Sequence, residues 1–149
     1  MANSNGNFIK SYHMEVGINH VPAYQVSGRP YISSSVIYND TARVVSLPYV
    51  SRWFQVYNKG VSDLRVGFSA HGVEGIAGPD GNESHYFTVP PSGSGGFGQS
   101  EQFEIKVSEI WLYGATAGTC DVVSGLTTIP SQRCNTTSGN SWSGSAGVG

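Results

Sequence analysis

Apolar positions recur along the chain with a period of two. Met14, Val16 and Ile18 alternate with Glu15 and Gly17, which gives a strand one face inside and one in water. Residues 31–38 and 43–47 predict two more strands, with Asn39-Asp40 as the turn pair between them. In 52–58, Phe54 and Val56 share one face while Trp53, Gln55 and Tyr57 share the other. Residues 59–63 then predict a hairpin turn onto 64–69, where Leu64, Val66 and Phe68 oppose Arg65 and Gly67.

A glycine-rich excursion over 70–84 is long enough to predict an exposed loop. Strand character returns at 85–89, and a second excursion over 90–98 delays the next strand to about Gln102. Phe103, Ile105 and Val107 form one alternating set and Ile110 and Leu112 another, out of phase by one residue. A bulge at Ser108-Glu109 would keep both sets on one buried face. A turn at 114–118 leads to the last predicted strand, 121–126.

The 20 Gly and 7 Pro divide the chain into pieces too short for ordinary helices of about 11 residues. The pattern predicts an all-β fold: a single antiparallel β-sandwich, jelly-roll-like, with two long Gly-rich loops and an extended C-terminal tail. With 149 residues there is room for one core. Residues 1–11 are expected to form a flexible N-terminal arm, 12–130 the sandwich, and 131–149 a Gly/Ser/Asn-rich tail whose one aromatic, Trp142, favours docking on a neighbour.

Charge narrows the partners. Only 12% of residues are charged and the formal net charge is -2, which lacks the basic footprint of a direct nucleic-acid binder. No apolar run approaches the roughly 20 residues of a membrane span, and the polar start Met-Ala-Asn-Ser-Asn-Gly-Asn predicts no secretion signal. Cys120 and Cys134 allow at most one bridge, and reduced thiols are the expectation for a protein assembled in cytosol. The Asn-x-Ser/Thr triplets at Asn39, Asn82 and Asn135 are the chance yield of a chain rich in those residues.

No chemistry announces itself. His13, His20, His71 and His85 never fall in a paired metal-ligand spacing, and neither a G-x-S-x-G elbow nor a phosphate loop is present. Glu101, Glu104 and Glu109 lie close in sequence, but strand alternation makes Glu104 and Lys106 a solvated face. We therefore expect no catalytic residues, no cofactor and no metal. The aromatics carry the binding hypothesis: Trp53, Tyr57, Trp111 and Tyr113 fall opposite the core-facing sets, where exposed rings stack on sugars or form subunit contacts. With Trp142 they are the candidate interface or ligand residues.

Across residues 52–69 (RWFQVYNKGVSDLRVGFS), 108–114 (SEIWLYG), 122–130 (VVSGLTTIP) and the closing Gly-Val-Gly, the chain resembles small capsid-associated β-sandwich proteins of tailed phages and large aquatic DNA viruses. The resemblance spans most of residues 12–149. It implies a viral structural protein found in the virion after synthesis in the host cytoplasm, as a minor capsid, decoration, vertex or head-fibre component. Its partners would be copies of itself and a major capsid protein, with a host-surface glycan for a receptor-binding form. It implies no enzyme activity.

Overall fold

The computed structural model describes residues 18, 28–75, 84–93, 98–136 and 139–149. The strand predicted over 14–18, the arm over 1–11, His13, His20, Asn82 and parts of both glycine-rich excursions lie outside these residues, apart from Ile18. Among the described residues seven strands follow in order: β1 (Arg29–Tyr38), β2 (Arg43–Ser46), β3 (Tyr49–Asn58), β4 (Leu64–Gly67), β5 (Tyr86–Val89), β6 (Glu109–Tyr113) and β7 (Gly118–Pro130). They form two antiparallel sheets ordered β1-β7-β3 and β2-β6-β4-β5.

An irregular stretch, 98–107, runs along the free edge of β3. Phe54 and Phe103 exchange backbone hydrogen bonds, Ser100 N donates to Val56 O, and Ser51 N donates to Val107 O. Counted as the sixth of eight strands, it makes the sheets read 1-8-3-6 and 2-7-4-5. That is the order of a jelly roll, two Greek keys wrapped face to face.

Alternation explains which side chains meet between the sheets. Phe54, Val56 and Val122 from the first sheet face Leu64, Val66, Ile110 and Leu112 from the second, all buried. Burial of each such side chain stabilises by about 1.5–3 kcal/mol. Phe103 closes the open side, stacked on Phe54 at 5.4 Å and against Phe87 at 4.6 Å.

Several connections differ from the sequence expectation. Residues 59–63 do not close a hairpin, because β3 and β4 lie in different sheets and the turn carries the chain across the sandwich. The phase slip at Ser108-Glu109 is likewise a change of sheet rather than a bulge: residues before it pair with β3, and those after it enter β6. The first excursion opens with a helical turn, α1 (Ala70–Glu74), whose first turn is capped by the Ser69 hydroxyl accepting from Gly72 N. A 3-10 turn, Ser131–Arg133, follows β7.

The C-terminal stretch folds back onto its own sandwich instead of extending. Trp142 donates its indole N–H to Lys106 O and packs against both clusters of buried side chains. Ser141 Oγ accepts from Ser108 N at 3.1 Å, and Ser69 Oγ donates to Val148 O at 2.7 Å.

Candidate functional site

The four edges of a two-sheet sandwich are where it can meet another chain, since each carries unpaired backbone groups. β2 and β5 are four residues long, and 98–107 is irregular. β1 is different: it is ten residues long, it is the terminal strand of its sheet among the described residues, and its outer face carries Ile32 and Ile37, 66% and 67% exposed.

These two isoleucines share a face although five residues separate them. The register with β7 steps from Ser33↔Val122 to Val36↔Cys120, so β1 holds one extra residue there. Ser35 takes a left-handed conformation, φ 54°, and its N–H donates to Asp121 Oδ1 at 2.7 Å. Lys59 Nζ holds the same carboxylate at 3.0 Å. The Ser35 N–H, with Lys59 beside it, keeps Asp121 below the usual carboxylate range. Beneath the bulge, Tyr31, Ser33 and Val36 of β1 and residues 43–46 line a groove of about 350 Å³.

The five aromatics singled out from the sequence stand in three separate places. Trp53 and Tyr57 are half-buried on the outer face of the β1-β7-β3 sheet, opposite Gly125 and Asp121. Trp111 and Tyr113 lie on the outer face of the other sheet, which α1 covers: Arg65 donates to the Val73 and Glu74 carbonyls, and Ala42 N donates to Glu74 Oε1. Arg65 is stacked between Tyr86 and Tyr113, with its guanidinium 4.6 and 5.1 Å from the ring centres. Tyr113 also donates its hydroxyl to Asp40. Trp142 is engaged within its own chain and is not a free interface aromatic.

Sequence reasoning missed Ile32 and Ile37. The available signal was the run Ser33-Ser34-Ser35, which interrupts alternation in the middle of a predicted strand.

The groups with reactive chemistry are dispersed. His71 is exposed on α1, and His85 precedes β5. Glu104 pairs with Arg52 at 3.4 Å, Glu101 is exposed, and Glu109 starts β6. Among the described residues no three His, Cys, Asp or Glu side chains gather as a metal site would require, and no helix is long and apolar enough to cross a membrane. Both thiols are free and separately buried; burial pushes Cys120 up to about 12 and raises Cys134. Neither protein-family models, curated proteins nor solved structures give a match to this chain.

Proposed function

We propose that this chain is a structural subunit of a viral particle, a small capsid, decoration or vertex component that assembles with copies of itself and with a major capsid protein. The observation that carries the reading is the pair of isoleucines, about two-thirds exposed on the longest edge of a jelly roll. A lone soluble domain gains nothing from apolar side chains beside unpaired backbone, whereas a subunit buries both on assembly. The sparse charge and the resemblance to capsid-associated sandwiches agree with it. On this reading the chain is not an enzyme.

Light scattering and electron microscopy of the purified protein at rising concentration test the proposal. A closed oligomer or shell of defined size is expected. A monomer up to about millimolar concentration, where even weak specific contacts of about 4 kcal/mol would form, overturns it.

A second reading has one observation of its own. Trp53 and Tyr57 stand four residues apart on the same outer face of β3, with Gln55 between them, both half-buried, and aromatic rings on one strand face can stack on sugar rings. A carbohydrate-binding module or receptor-binding head-fibre domain would show tryptophan fluorescence quenching with a host-surface glycan, lost in Trp53→Ala. Unchanged fluorescence across a glycan panel removes this reading.

A further inference from the structure

We propose that β1 pairs edge to edge with the β1 of a second copy, antiparallel about a two-fold axis through the Ser34-Ser35 bulge, joining the two sheets into one. This rests on the self-assembly part of the function proposed above and names the surface and the partner.

The argument is one of symmetry. In β1 the inward side chains are Tyr31, Ser33, Val36 and Tyr38, and the outward ones are Pro30, Ile32 and Ile37. The extra residue between Ser33 and Val36 reverses the parity, so the in-and-out pattern reads the same in both directions from the bulge. A regular strand laid along this edge matches the faces of one half and mismatches the other. A second β1 carries the same slip at the same place and matches both.

The register that sets Ser34 against the second copy's Ser35 places Ile32 opposite the second copy's Ile37, twice by symmetry, with all four side chains on one face. It also sets Tyr31 against Tyr38 and Ser33 against Val36, inward facing inward. Just past the strand ends the same register brings Arg29 near the second copy's Asp40, which lies two residues beyond Tyr38 and accepts from Tyr113 in its own chain. Both are exposed; Arg29 also stacks on Tyr49 of its own chain, 4.2 Å from the ring centre. Apolar and inward-facing positions thus complement each other in a single isologous register. The Ser35 N–H is turned inward to Asp121 and leaves the seam clear. Pairing would also close the mouth of the groove between β1 and residues 43–46.

Sedimentation of the full chain and its variants tests this. Ile32→Lys and Ile37→Lys, both at exposed positions, should disperse the dimer while circular dichroism and the unfolding midpoint stay those of the parent. Arg29→Asp and Asp40→Arg should each raise the dissociation constant roughly tenfold, since two pairs per dimer turn repulsive. The double reversal R29D/D40R should recover part of the lost affinity, because the reversed charges attract again between copies; each change also removes a contact within its own chain, so the unfolding midpoint is followed alongside. An oligomer indifferent to all these changes overturns the edge pairing and leaves the self-assembly reading standing. A monomer at every concentration overturns both. A dimer that responds as described but builds no larger particle supports the pairing and sinks the capsid reading.

Discussion

Tyr38 organises one end of the sandwich. Its ring is buried, burial holds the phenol above its usual pKa, and its hydroxyl donates to Asn58 Oδ1 at 2.8 Å. The same oxygen accepts from Gly60 N, while Asn58 Nδ2 donates to Ser62 O at 2.9 Å and Val89 O at 3.0 Å. This buried amide is thus engaged through both its oxygen and its nitrogen, and it makes the corner that sends the chain from β3 across to β4. Three glycines cage the ring. A Cβ on Gly114 would stand 2.6 Å from it, and one on Gly60 or Gly118 would press on the hydroxyl more closely still. Tyr38→Phe should therefore cost about 1 kcal/mol for the lost hydrogen bond, and Gly60→Ala or Gly118→Ala about 1–3 kcal/mol for overpacking. The two alanines separate in the Tyr38→Phe background. At Gly60 the next ring atom is 3.2 Å away, so removing the hydroxyl should relieve most of the penalty; at Gly118 it is 2.6 Å away and the penalty should persist. Urea denaturation of the four-member cycles measures the difference.

Among the elements, β1 owes its shape to a carboxylate on its neighbour. Asp121 accepts the Ser35 N–H, offsets the cost of a left-handed serine, and draws Lys59 across the same corner. Its folded pKa is depressed, so its contribution is fully present above the unfolded value of about 3.9 and is lost as pH falls through the folded one. Denaturation midpoints measured from neutral pH down to about pH 3 should fall more steeply for the parent than for Asp121→Asn, which lacks the titrating group; parallel curves would show that the bulge does not depend on the charge. This element also shows what the sequence carries and what it does not. Alternation in Phe54/Val56, Leu64/Val66 and Ile110/Leu112 marks the inward faces, and the structure buries all six. Alternation says nothing about which sheet a strand joins, because a hairpin and a crossover are both short turns between two half-buried strands. Residues 59–63 and 108–109 are ambiguous in one dimension for that reason. The aromatics on outer faces are legible as a set, but which of those faces α1 packs against depends on tertiary contacts that no local pattern encodes. The serine run that marks the bulge reads, in one dimension, as merely polar.

At the scale of the whole molecule, the C-terminal stretch acts as a clasp over the crossover between the sheets. Trp142 and the Cys134 thiol both point to Lys106 O, and Trp142 packs on the small cluster of Val50, Ile129 and Cys134 as well as on the main core. Ser141 holds a left-handed turn beside it, compensated by the bond from Ser108 N. A stretch so rich in Ser, Gly and Asn has little apolar surface of its own, so this ring is its largest apolar contact, beside the hydrogen bonds from Ser108 and Ser69. Trp142→Ala should cost about 3 kcal/mol, the lower end for a tryptophan because the ring is only partly buried. The two buried thiols report where that loss falls. Cys120 sits in the main core with its pKa raised to about 12, whereas Cys134 lies under the clasp. Thiol labelling at neutral pH should be slow at both in the parent chain, since a buried, protonated thiol is neither accessible nor nucleophilic. If the clasp opens as a local unit, Trp142→Ala should speed labelling of Cys134 much more than that of Cys120, which stays protected until global unfolding. Equal acceleration at both thiols, followed residue by residue by mass spectrometry, would mean that the stretch has no separate opening and that the sandwich and its clasp form one cooperative unit.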